Sequence, residues 1–166
     1  SFAMHHLMTM SALVCWTLTG CELANPPAPP PALDFATFTC IVEPVLAAEC
    51  SFPACHGSPD RPFKTLSPGR MRLSDEYVIA RELLTAEQVE DGIHPPLTEA
   101  EQRFNYAQAR SFATEPASDS ALLSRPLAMA AGGRFHAPNA DVFTSTESDG
   151  YRAIERWLLG QEGSCP

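Results

Sequence analysis

The sequence predicts an all-α, loop-rich helical domain, and three observations carry that reading. Apolar residues recur at helical spacing in several separate stretches, the repeat of a helix with one buried face. Thr98-Glu99-Ala100-Glu101 is a capping box, in which hydroxyl and carboxylate satisfy the free N–H groups at a helix start. No stretch alternates apolar and polar residues convincingly, so few strands are expected. The sixteen prolines among 166 residues keep the helices short and the connections long. That length suits one domain. The formal net charge of −9 argues against a nucleic-acid partner, because neutralising phosphates needs a basic surface.

The N-terminal stretch is expected to be an address, with a buried N-terminal helix as the alternative. Met8 to Leu18 is mostly apolar, too short to span a bilayer but suited to a signal-peptide core. No Lys or Arg precedes it, only His5 and His6. Leu18-Thr19-Gly20-Cys21 resembles the box at which bacterial lipoproteins are cut and lipidated. That resemblance implies a signal peptide over 1–20, lipid on Cys21, and a periplasmic or cell-surface location with membrane contact through the anchor. Asn25 to Leu33 contains Pro26-Pro27 and Pro29-Pro30-Pro31. It reads as a semi-rigid polyproline tether over 21–33, at roughly 3.1 Å per residue.

Phe35, Phe38, Val42, Val45 and Leu46 fall at helical spacing after a potential cap, Asp34. Pro44 is expected to kink this helix, because it lacks a backbone N–H. An irregular loop with Pro59, Pro62 and Pro68 follows. A short helix is expected over Asp75–Leu84, a loop over Glu90–Pro96, and a longer helix from the capping box to about Ala113. Ser118-Asp119 caps a helical turn through Leu122 and Leu123, which stops before Pro126. Gly132-Gly133 and Pro138 mark a tightly turned loop. The last helix carries Tyr151, Ile154, Trp157 and Leu158 and ends at Gly160.

The chemistry concentrates in Cys50-Ser-Phe-Pro-Ala-Cys55-His56-Gly57. It resembles the attachment site of a c-type haem, with four residues between the cysteines where two are usual. There, two thiols form thioethers to the porphyrin vinyl groups, and the adjacent histidine ligates the iron. From spacing alone, the same residues also suit a plain disulfide or a zinc site. Zinc needs four ligands, and the nearest extra candidates are Cys40 and Cys165.

The wider layout resembles a cytochrome c domain over about Asp34 to Gly160, within an expected domain of 34–166. The resemblance adds Ser120 to Leu127, Gly132-Gly133-Arg134-Phe135-His136, and the Tyr151, Ile154, Trp157 and Leu158 helix. It implies an all-α, cytochrome c-like fold around one haem c, with cofactor contacts from Cys50, Cys55, His56, His136 and Met129. It also implies a first helix crossing a last one, so that Cys40 and Cys165 are expected to pair as a disulfide.

His136 ranks first as the second iron ligand, then Met129, then Met71 and His94. Arg125 and Arg134 are candidates to pair with haem propionates. The function implied is that of a lipid-anchored monohaem electron carrier working with redox partner proteins. The alternative is a cofactor-free, disulfide-stapled lipoprotein in cell-surface interaction. No acid–base pair suggests a peroxidase, and no nucleophile motif, phosphate loop or metalloprotease helix is present, so an enzyme is not expected.

Overall fold

The computed structural model describes residues 32–161. The fold is all-α: among the described residues no strand forms, only an isolated bridge between Leu127 and Phe143. The expected signal peptide, Cys21 and Cys165 lie outside the described residues. No helix among the described residues is long and apolar enough to cross a membrane.

The first helix, α1, covers residues 35–50 in four consecutive pieces. Phe35–Thr37 and Glu43–Val45 are α-helical, and Phe38–Val42 and Leu46–Cys50 are π-helical. Asp34 caps it, its carboxylate accepting the Thr37 N–H at 2.6 Å. The helix passes through Pro44 without stopping, and widened turns flank the proline on both sides. A π turn relaxes the clash between a proline ring and the preceding turn's carbonyl. The later helices are α2 (Ser74–Glu82), α3 (Ala86–Glu90), α4 (Glu99–Arg110), α5 (Ala121–Ser124) and α6 (Asp149–Leu158).

The core forms where α1 meets α6. Phe38, Val42 and Leu46 of α1 pack with Tyr151, Ile154, Trp157 and Leu158 of α6, all buried. Phe38 and Trp157 have ring centroids 5.3 Å apart. Each large side chain buried here contributes roughly 1.5–3 kcal/mol. Trp157 donates its indole N–H to the Asp34 carbonyl at 2.9 Å, so the partly polar ring is satisfied where it is buried. Leu33, the last residue of the expected tether, is also in this core, and its carbonyl accepts the Tyr106 hydroxyl at 2.6 Å.

The inner face of α4 is polar, and that determines how the loop before α2 is held. Asn105 accepts the Leu66 N–H at 2.7 Å and donates to the Leu66 carbonyl at 3.0 Å. Gln108 accepts the Lys64 N–H at 3.1 Å. Glu101 accepts the Leu73 N–H and forms a buried pair with Arg72 at 2.6 Å. Residues at positions 101, 105 and 108 share one helix face, and they satisfy a proline-rich segment that has no strand partner.

Two boundaries differ from the sequence expectation. The helix opened by Thr98 ends at Arg110 rather than near Ala113. The cap of α5 is Ser120, whose hydroxyl accepts the Leu122 N–H, while Ser118 and Asp119 lie in a preceding 3-10 turn. An additional helix, α3, has its own capping box at Thr85 and Gln88.

Candidate functional site

The last turn of α1 delivers the chain into the cysteine loop. Leu46 and Cys50, one widened turn apart, both face a cavity of about 290 Å³, near the lower end for ligand sites. The chain then folds back on itself. Cys55 and Gly57 donate their N–H groups to the Phe52 carbonyl at 2.8 and 3.0 Å, and His56 donates its own to the Cys50 carbonyl at 3.0 Å. Gly57 is required by contact: a Cβ there would lie 2.0 Å from the Ser51 carbonyl oxygen. Arg70 donates to the Ala47 carbonyl and the Ser51 hydroxyl at 2.7 and 2.6 Å. It thereby closes the C-terminal end of α1, where a cation is favoured.

The His56 ring is held in one tautomer. Its Nδ1 lies 3.0 Å from the Phe63 carbonyl, which only accepts, so Nδ1 carries the proton and Nε2 the free lone pair. This is the orientation that a second-layer carbonyl imposes on metal-binding histidines. Burial pushes the His56 pKa down, the Phe63 bond partly opposes that, and the neighbouring His136 and Arg61 add to the lowering. The ring is therefore neutral at neutral pH, the form that donates to a metal.

His136 reaches the same cavity from the other side of the chain. After α5 the chain makes a 3-10 turn at Met129–Ala131 and reverses through Gly132, at φ +93°. A Cβ on Gly133 would lie 1.8 Å from the Leu127 carbonyl oxygen, so only glycine lets the returning chain approach. Arg134 then donates its N–H to the Ser124 carbonyl, and Arg125 donates its guanidinium to the Phe135 carbonyl, both at 2.6 Å. This brings His136 Nε2 to 3.4 Å from His56 Nε2, with the ring planes 14° apart. His136 Nδ1 is buried with no hydrogen-bond partner.

This arrangement is electrostatically incomplete. If His136 carries its proton on Nδ1, that proton is orphaned and two lone pairs face each other. If it carries the proton on Nε2, the Nδ1 lone pair is orphaned. A buried polar atom left unpaired costs about 1–3 kcal/mol. His56 and His136 are the residues that would hold an electron-pair acceptor in this cavity, which would satisfy the facing nitrogens.

Apolar side chains complete the cavity: Phe63, Phe112, Leu122, Phe143 and Ile154, with Arg125 at its edge. The Cys50 thiol is desolvated there, and burial above all pushes its pKa up to about 12, so it stays protonated. Cys55 is exposed and does not line the cavity. Both are free thiols. Among the described residues no group of three or more His, Cys, Asp or Glu could hold a bare metal ion.

The other sequence candidates sit elsewhere. Met129 is 61% exposed and outside the cavity. His94 is exposed and rests against Gly69, and Met71 is half-buried away from the site. Arg134 is exposed, 3.7 Å from Asp119. Cys40 is disulfide-bonded, and the expected partner, Cys165, lies outside the described residues. Sequence reasoning did not find Phe63, because its part is played by a backbone carbonyl, which any residue supplies. No protein-family model, curated protein or solved structure matches this chain.

Proposed function

We propose that this chain is a monohaem c-type cytochrome: an exported, lipid-anchored electron carrier with a cytochrome c-like fold. The observation that carries the proposal is the facing pair of His56 and His136 Nε2 atoms, 3.4 Å apart, in an apolar cavity with the Cys50 thiol on its wall. Porphyrin supplies four of the iron's ligands itself. With no group of three or more potential ligands for a bare ion among the described residues, the two imidazoles fit haem better than a bare ion. The packing of α1 on α6, with α1 leading directly into Cys50, agrees with the fold that the resemblance implies.

In this reading Cys50 and Cys55 would hold the cofactor through thioethers, and His56 and His136 would ligate its iron. Haem c supplies reversible one-electron exchange between ferric and ferrous iron. The chain's residues do the rest. The Phe63 carbonyl fixes the His56 tautomer, Arg125 fixes the His136 loop, and Phe63, Phe112, Phe143 and Ile154 exclude water. A bis-histidine site favours a lower potential than histidine with methionine. The open thiols at positions 50 and 55 favour this over the disulfide-stapled, cofactor-free alternative, which needs both oxidised.

The test is to produce the full chain with haem-attachment machinery. Haem that survives acid–acetone extraction and shows a low-spin spectrum supports the proposal. A colourless protein, or a native spectrum in His56→Ala, rejects it.

A further inference from the structure

Residues 74–93 are ordered yet almost unburied. Within α2 and α3 the only fully buried side chain is Ala80. The segment is instead stabilised locally. Thr85 and Gln88 form a reciprocal capping box. At the other end of α3, Ile93 donates its N–H to the Gln88 carbonyl and Gly92 donates to the Val89 carbonyl. Gly92 takes φ +71°, the left-handed residue such a helix end calls for.

What this segment presents is apolar. Val78, Ile79, Leu83, Val89 and Ile93 are all exposed, Leu83 at 76%. Ile79 and Leu83 lie one helical turn apart, and Ile93 follows just after the helix that carries Val89. Around them stand Asp75, Glu76, Glu82, Glu87, Glu90 and Asp91, against a single cation, Arg81. None of these six carboxylates joins an ion pair among the described residues.

We infer that α2 and α3 form a docking surface for a protein whose contact face is apolar at its centre and rimmed with Lys and Arg. The charges select this occupant. A second copy of the chain would set carboxylates against carboxylates in a symmetric contact. A bilayer with anionic headgroups would repel the same carboxylates, since such surfaces attract basic segments. A basic rim gains from every unpaired carboxylate, steering association, while the apolar residues give it a dry centre. The surface is independent of the haem site, so this inference stands or falls apart from the proposed function.

The test uses the full chain and a synthetic helical peptide with a leucine stripe flanked by lysines. A scrambled peptide of the same composition is the control. Saturable binding of the striped peptide, weakened by salt, is expected. Ile79→Ser/Leu83→Ser should weaken it at least about tenfold, and Glu82→Gln/Glu87→Gln/Glu90→Gln should flatten its salt dependence. Both variants change only exposed side chains, and unaltered thermal unfolding checks that the fold is kept. Equal binding of the scrambled peptide, unchanged binding by the Ser variant, or no binding overturns the inference. So does a preference for anionic vesicles, or self-association of the chain abolished by the Ser variant.

Discussion

His56 and His136, 80 positions apart in the chain, hold their rings nearly parallel with Nε2 facing Nε2. Neither ring is placed by its own helix. One is aimed by the Phe63 carbonyl, the other by a loop that Arg125 holds at Phe135. The pair therefore reports on two loops at once, and it leads to the first prediction.

His136→Ala should convert the iron of the haem-loaded protein to high spin or open it to added ligand. Met129→Ala should leave the spectrum unchanged, because that side chain is 61% exposed and outside the cavity. Absorption spectra of the two variants decide. The reverse pattern would assign the ligand to methionine and raise the expected potential.

Gly57→Ala should disturb the cysteine loop more than an alanine normally would. The added methyl would meet the Ser51 carbonyl oxygen at 2.0 Å, and backbone cannot yield as a side-chain tip can. A loss of about 1–3 kcal/mol is expected, read as a lower unfolding midpoint and less haem retained per chain. Unchanged values for both would show that the loop has slack.

The Cys40 disulfide is expected to pair with Cys165. Such a bridge closes nearly the whole domain into one loop, worth on the order of 4–5 kcal/mol at most on chain-entropy grounds. Non-reducing peptide mapping should recover the two cysteines in one linked fragment. A link from Cys40 to Cys15 or Cys21 refutes the pairing.

Glu101 and Glu43 should respond to pH with opposite sign. Burial pushes the Glu101 carboxyl up, but the Arg72 hydrogen bond, the Thr98 and Leu73 N–H groups and the Arg72 charge together hold it below its ordinary value of 4.5. Its contribution is present above that value and is lost as pH falls through the lowered one. Removing one partner of a buried pair costs about 3–5 kcal/mol, so Glu101→Gln should be strongly destabilising at neutral pH. Glu43 is raised above 4.5, mainly by burial, with Asn105 and Gln102 opposing and Glu101 adding. The folded state then keeps a proton that the unfolded chain has released, and stability falls as pH rises through that window. The urea midpoint of the natural chain should therefore drop relative to Glu43→Gln as pH rises from 4.5. A pH-independent difference would show that Glu43 does not titrate on unfolding.

Local signals carried much of the fold. The Asp34 cap, the Thr98 box, the apolar face of Tyr151, Ile154, Trp157 and Leu158, and the glycine turn at Gly132 are each written within a few residues. The inner face of α4 was not legible, because Glu101, Asn105 and Gln108 look like an ordinary solvated helix face until the loop they bind is in place. Pro44 predicted a disturbance in the right helix but not its form, since π widening depends on the packing of both flanking turns. Of the site, Cys50, His56 and His136 stood out by residue type. The aromatic wall of Phe63, Phe112 and Phe143 did not, because its members are far apart in sequence and each alone reads as core.

The two thiols of the cysteine loop differ in access, and that difference makes them a gauge. Cys55 is exposed, whereas Cys50 is protonated and faces the cavity. A thiol reagent meets the exposed Cys55 readily, and the half-buried, protonated Cys50 more slowly. The ratio of the two labelling rates thus measures how far the cavity wall shields the inner thiol. If the proposed haem attachment holds, the same asymmetry predicts that the outer sulfur, Cys55, is the more available of the two to react first.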